Sequence, residues 1–235
     1  MILNVLIACE ESQAECAAFR SLGHRAFSCD IVPCRKGGNP SWHILDDCRP
    51  YLKGRTKFTT QDGLKHSLRQ WDLIIAHPPC TYLSKVGSRL LYKEPLEPCY
   101  IAGKVIMANR QRITQMHEAA DFFRECLTAN VHYLAVENPI PMKIAGLPRP
   151  SFYACQSWFG VKYTKKTCYR VRNLPPLVAQ LEFPNPKSFT YCSRGKYRSR
   201  TFPQLAKAIA VQWSDFIILD RMKSRKKRNT NPQTT

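Results

Sequence analysis

Apolar positions in this chain come in short runs that alternate with helical spacing, and each run stops at a polar or turn-forming residue. Met1-Ile2-Leu3-Asn4-Val5-Leu6-Ile7-Ala8-Cys9 is followed by Glu10-Glu11-Ser12-Gln13. The spacing then predicts a helix from about Ser12 to Leu22, closed by Gly23 where a left-handed cap residue is expected. Arg25 to Ile31 reads as a second strand that ends in the carboxylate of Asp30. Asp72 to Ala76 is apolar and β-branched, as strands covered on both faces are, and Pro78-Pro79 cannot continue a ladder. His132 to Pro139 is a further strand ending in Glu137-Asn138-Pro139, preceded by a helical stretch from roughly Gln111 to Thr128. A last helix is expected from about Pro203 to Leu219.

Strands alternating with helices predict an α/β fold with a doubly wound, mostly parallel sheet. Four strand ends carry a polar or reactive group: Glu10, Asp30, Cys80 and Glu137. In open α/β sheets that edge is where ligands bind, so a shared cleft explains all four. Cys80 by itself has an ordinary alternative as a small core hydrophobe.

The ordered motifs resemble the DNA cytosine-C5 methyltransferases, whose signatures are Pro-Cys and Glu-Asn-Val at successive strand ends. The chain looks closest to their short, phage-type members. The resemblance rests on Ala8-Cys9-Glu10-Glu11-Ser12-Gln13, Trp42-His43, His77-Pro78-Pro79-Cys80-Thr81-Tyr82-Leu83-Ser84, Thr164 to Cys168 and Arg198 to Pro203. It implies a Rossmann-like, S-adenosylmethionine-dependent enzyme that methylates carbon 5 of cytosine in DNA. Cys80 is then the nucleophile that adds to carbon 6 of the ring, because carbon 5 is a poor nucleophile until a thiolate converts the ring to an enamine-like species. Neighbouring cations are expected to favour that thiolate. Glu137 is expected to protonate ring nitrogen 3, with a pKa raised by burial. Lys165 and Arg170 are both candidates for the basic residue against the pyrimidine carbonyl, and a solvated basic strand is the ordinary alternative.

The same resemblance implies that Cys9, Glu10, Glu11, Asp30, Asp47 and Pro78 hold the cofactor. Asp30 fits a ribose-binding carboxylate, and Asp47 fits the position near the adenine amine; solvated turn residues are the alternative for both. The first loop has Cys9-Glu10-Glu11-Ser12-Gln13 where large family members have a glycine-rich run, so close backbone approach to the methionine moiety lacks its usual residue type. Between Cys80 and Glu137, about Thr81 to Asn109 is expected to be a mobile loop that closes over the base.

Charge agrees with a DNA partner. The chain of 235 residues has 36 Lys+Arg against 17 Asp+Glu, a formal charge of +19. Residues 162–235 hold 17 basic and 3 acidic residues, so most of the excess is C-terminal and suited to phosphates. The length fits one catalytic domain over 1–220 with a minimal recognition region about 146–196, and a basic tail, 221–235, expected to be disordered. No stretch suits a bilayer, and the N-terminal run enters Glu10-Glu11, unlike a signal peptide. Eleven cysteines without a regular framework suit reduced thiols in the cytoplasm. Cys155, Cys168 and Cys192 invite a zinc reading, but no CxxC pair exists, and no metal is expected. An enzyme of the same fold acting on a free pyrimidine nucleotide or with another one-carbon donor, and a catalytically silent DNA-binding protein, are the alternatives.

Overall fold

The computed structural model describes residues 1–101, 103–188 and 201–230, with 227–230 as backbone only. Its centre is a seven-stranded sheet. The strands are β1 (Asn4–Ala8), β2 (Arg25–Asp30), β3 (His43–Leu45), β4 (Leu73–Ala76), β5 (Tyr133–Pro139), β6 (Phe152–Cys155) and β7 (Lys166–Arg172). Their order is β6-β7-β5-β4-β1-β2-β3. All neighbours from β3 to β5 run parallel, and only β7 is antiparallel to both of its neighbours. The order reverses at β1 and β4, which is the switch point at which doubly wound α/β sheets open a crevice.

Both faces of the sheet are covered, which is why its strands read as near-continuous apolar runs. Leu6 and Ala8 of β1 join Ile74 and Ala76 of β4 on one face, under helix α2 (Arg110–Leu127) with Met116, Ala120 and Phe123. Val5 and Ile7 join Leu73 and Ile75 on the other, under helices α1 (Ala14–Ser21) and α3 (Pro203–Thr230) with Phe19, Ile209 and Trp213. Each fully buried aliphatic side chain here contributes about 1.5–3 kcal/mol relative to exposure. The wound architecture is the α/β, Rossmann-like one that the strand–helix alternation predicts.

Local signals set the boundaries. Helix α1 ends in a Schellman arrangement: His24 N–H donates to Phe19 C=O, Gly23 N–H donates to Arg20 C=O, and Gly23 takes φ 82°. Helix α2 starts at Asn109, whose side chain accepts from Arg112 N–H.

Two expectations are corrected. The segment from Thr81 to Asn109 is not a bare loop: Lys85–Tyr92 is 3-10 helical, and Glu97–Ile101 pairs with Lys104–Ala108 as an antiparallel hairpin. Within the stretch about 146–196, Phe152–Cys155 and Lys166–Arg172 join the sheet as β6 and β7, and a two-residue ribbon pairs Tyr163–Thr164 with Lys187–Ser188. Residues 221–230, expected to be disordered, continue helix α3. Arg221 makes an ion pair with Asp72 at 2.7 Å, and Tyr133 Oη donates to Asp220 at 2.6 Å, which fixes the end of that helix to the sheet. Residues 189–200 and 231–235 lie outside the described residues, and with them Arg198 to Arg200 and Cys192. Among the described residues, no helix is long and apolar enough to cross a membrane.

Candidate active site

The carboxyl ends of β1, β2, β4 and β5 meet at one edge and open into two neighbouring cavities. The smaller, about 130 Å³, is lined by Glu10, Glu11, Pro78, Cys80, Glu137 and Lys165, with His77, Arg35 and Thr201. The larger, about 620 Å³, is lined by Cys9, Asp30, Asp47, Cys48, Cys80 and Phe122 among others. Cys80 belongs to both.

The Pro78-Pro79 turn fixes Cys80. His77 is the last residue in register, its N–H donating to Ala8 C=O at 2.9 Å; beyond it the prolines have no N–H to give. The Cys80 carbonyl then accepts from Leu83 and Ser84 N–H at 3.0 Å each, which starts the next turn. Glu137 is carried by β5 opposite Tyr169 of β7, one residue past the end of the pairing with β4 at Val136.

Between these two strand ends lies a buried charge relay. His77 Nδ1 is 3.1 Å from Glu137 Oε2, and His77 Nε2 is 3.1 Å from Glu15 Oε2, the latter contact lying off hydrogen-bond geometry. The Glu15 side chain is completely buried and those of His77 and Glu137 are nearly so. Burial opposes a charge on His77, but Glu15 and Glu137 overcome it and hold the imidazole pKa well above its usual value. Burial alone would raise Glu137; the His77 hydrogen bond and the charges of His77, Lys165 and Arg170 outweigh it, so its pKa is lowered. This corrects the expected raised value: the sequence does not reveal that an imidazolium sits on the carboxylate. Glu137 Oε1 is buried and has no hydrogen-bond partner.

Cys80 is likewise corrected. Burial and the neighbouring Glu137 charge raise its thiol pKa, and Lys165 only partly offsets them. The resting pair is therefore a neutral thiol beside an ionised carboxylate. Of the two candidates Lys165 and Arg170, Lys165 lines this cavity. Its own pKa is lowered by burial, against the pull of Glu137 and Cys80. Arg170 points elsewhere: its guanidinium donates to Pro148 C=O at 2.9 and 2.7 Å and lies over the Phe123 ring.

The residues expected to hold a cofactor divide. Asp30 and Asp47 line the larger cavity, Glu10, Glu11 and Pro78 the smaller, and Cys9 both. Asp30 Oδ1 accepts from Val32 N–H, and burial raises its pKa. Asp47 pairs with Arg49 at 3.1 Å; burial works against ionisation there, yet the bonds to Arg49 lower its pKa. Cys9 Sγ lies 3.8 Å from Cys48 Sγ; that contact and burial push the Cys9 thiol well above its ordinary value. Glu11 forms an ion pair with Arg35.

Glu10 also has a structural task. Its carboxyl group accepts from Glu15 N–H at 2.7 Å and Cys16 N–H at 3.2 Å, so it caps helix α1. Burial, then the nearby Glu15, raises its pKa to about 8. The loop from Cys9 to Gln13 reaches this geometry without glycine by placing Cys9 at φ 61° and Gln13 at φ 57°. Gln13 is held there by bonds to Ser28 Oγ and to Asn39 C=O and N–H.

His77 and Glu15 are the participants that the sequence reading missed. Glu15 had a signal: it precedes Phe19 by four residues and so shares the apolar face of α1. His77 had a weaker one, a titratable residue between a buried strand and Pro-Pro. Among the described residues, no group of three or more His, Cys, Asp or Glu is arranged to hold a metal ion.

No protein-family model matches the sequence, and no curated protein sequence matches it significantly. Solved structures do align with it. One is described as a DNA modification methyltransferase encoded within prophage Cp of E. coli, at 13% identity over 72% of this chain and 46% of that one, with a TM-score of 0.39. Another is a mutant of DNMT2 from Spodoptera frugiperda, at 13% identity over 79% of this chain and 56% of that one, with a TM-score of 0.34. The chain thus spans about half the length of either structure.

Proposed function

We propose that this chain transfers a methyl group from S-adenosylmethionine to carbon 5 of cytosine in DNA through a covalent adduct of Cys80. The observation that carries the reading is the buried, unpartnered Oε1 of Glu137 in the same cavity as the Cys80 thiol. A buried acceptor without a donor costs about 1–3 kcal/mol, so the site is organised for a ligand that donates there. The edge of a pyrimidine, with ring nitrogen 3 and an adjacent amine, supplies such a group.

The resting protonation states suit the first step. Glu137 is ionised and Cys80 is not, so Glu137 removes the thiol proton as Sγ bonds to carbon 6. The carbon 5–carbon 6 double bond breaks, electron density moves toward nitrogen 3, and Glu137 passes the same proton to that nitrogen. Carbon 5 is thereby made nucleophilic. After carbon 5 is methylated, its proton leaves to solvent, the Sγ–carbon 6 bond breaks, and the nitrogen 3 proton returns through Glu137 to the thiolate. His77 keeps Glu137 oriented and low in pKa, while Glu15 keeps His77 charged. Lys165 offers its cation to the pyrimidine carbonyl.

The larger cavity fits the methyl donor by the chemistry of its lining. Asp30 offers a carboxylate to ribose hydroxyls, Asp47 an acceptor to an amine, and Ile31 and Phe122 apolar walls, in a volume usual for such ligands. When bound there, S-adenosylmethionine supplies an electrophilic methyl group beside Cys80.

Incubation with S-adenosylmethionine and DNA containing 5-fluorocytosine tests the reading. Fluorine cannot leave as a proton does, so the adduct should persist on denaturing gels and vanish in Cys80→Ala. Methylation without any trapped species would turn the assignment toward a cysteine-independent reaction, such as methylation of an exocyclic amine.

A further inference from the structure

The hairpin that follows the Cys80 turn has two unlike faces. Pro98 pairs with Met107 and Tyr100 with Val105, and strand alternation puts these four side chains on one side. Cys99, Ile101 and Ala108 point the other way into the core beneath α2. The first face is uncovered: Tyr100 is 75% exposed, Val105 67% and Met107 52%. Four adjacent apolar side chains in cross-strand register form a patch, not scattered surface residues.

The charges around the patch have one dominant sign. Residues 85–112 contain six Lys and Arg against Glu94 and Glu97. Arg110 occupies Glu97 in an ion pair at 2.5 Å. Lys85, Arg89, Lys93 and Lys104 are exposed. The hairpin also sits at the reacting edge of the sheet. It leads directly into α2, whose Gln115 and Glu118 line the larger cavity with Thr81 and Tyr82. Arg112 ties the two ends of the segment by donating to Thr81 C=O at 2.7 Å and lying over the Tyr82 ring.

We infer that the Pro98–Tyr100–Val105–Met107 face is a docking surface for the DNA strand beside the reacting base, with Tyr100 stacked on a neighbouring base. The inference rests on the proposed function and adds an element that the motifs do not supply. An exposed aromatic side chain on a segment whose charges are mostly cationic can engage bases by stacking and phosphates by charge. A two-stranded ribbon is narrow enough to enter a major groove.

Fluorescence anisotropy of the full chain with labelled single-stranded and duplex oligonucleotides tests this. Tyr100→Ala with Val105→Ser should weaken binding about tenfold or more, as loss of a stacking platform does. Lys104→Gln should weaken it less and lower the salt slope by about one. All three side chains are exposed, so the thermal midpoint and calorimetric S-adenosylmethionine binding should stay at wild-type values. Wild-type affinity in the Tyr100/Val105 variant, no oligonucleotide binding by the wild type, or equal loss of binding to anionic phosphatidylserine vesicles and to DNA would each overturn the inference. If the wild type binds DNA through this face yet traps no 5-fluorocytosine, the methyltransferase reading fails and the docking surface stands. If it methylates and the hairpin variants bind and methylate normally, the reverse holds.

Discussion

The two cavities that share Cys80 are built on opposite principles. The smaller holds Glu137 and Lys165 with the buried His77–Glu15 pair beneath them, a cluster in which each protonation state depends on its neighbours. The larger is bounded by thiols, Ile31 and Phe122, with Asp30, Asp47, Arg49 and Glu118 distributed along its lining. In one region the charged groups contact one another; in the other they are spread among apolar walls. Substitutions in the first should therefore act on rate and pH dependence, and substitutions in the second on affinity.

The most severe test is Cys80→Ser, which should lower methyl transfer by about a thousandfold or more while leaving S-adenosylmethionine affinity within twofold of wild type, about the spread of independent sites. A matching loss of cofactor affinity would mean that the two cavities are not separable. Glu137→Gln should slow the reaction by about 10²–10⁴-fold, because an amide neither takes the thiol proton nor delivers it.

His77→Asn should cost less in rate but change the shape of the pH profile. The imidazole pKa is raised, so its charge persists through neutrality and is lost as pH rises through that raised value. The wild-type alkaline limb should reflect this loss and should be absent in the variant. Identical limbs in stopped-flow or steady-state profiles would restrict His77 to packing.

Glu10→Gln sharpens the contrast through stability instead of rate. The folded pKa of Glu10, about 8, lies above its ordinary value of 4.5. Its contribution is thus fully present below about pH 4.5 and is lost as pH rises through about 8. Wild-type thermal midpoints should fall relative to the variant across that window, since glutamine keeps a cap acceptor and never ionises. Parallel curves from pH 5 to 9 by calorimetry would contradict the buried-carboxyl account. Smallest of all, Asp30→Ala should weaken S-adenosylmethionine binding by about tenfold, the worth of a hydrogen bond to a charged group, with no change in the pH profile.

How much of this was legible in the sequence follows from what each feature depends on. Strands β1, β4 and β5 were visible because burial on two faces leaves an unbroken apolar signature, and α1 because its cap chemistry is local. The hairpin was not, since Glu97-Pro98-Cys99-Tyr100-Ile101 has one solvent face and a proline, which weaken a strand signal. The roles of β6 and β7 in the sheet were hidden because edge pairing is a long-range decision. At the site, the positions of Cys80 and Glu137 followed from their strand ends. Their ionisation did not, because it depends on how His77 meets Glu137 and Glu15 and on Lys165, contacts between segments far apart in the chain. The capping bonds of Glu10 were hidden for a related reason: a residue type at a strand end does not say whether its side chain turns outward or back to a helix N-terminus.

The course of helix α3 also bears on how an approaching polyanion experiences this molecule. Arg221 is fixed to Asp72, just before β4 begins, whereas Cys80 follows the end of that strand. The basic turns after Arg221 therefore leave from the opposite rim of the sheet, separated from the thiol by at least the four residues of β4, about 13 Å of extended chain. That exceeds the screening length of about 8 Å at physiological ionic strength. The charges of Lys223, Arg225 and Lys226 thus act as a remote pole that orients the whole body in a field, and contribute little to the local potential at Cys80.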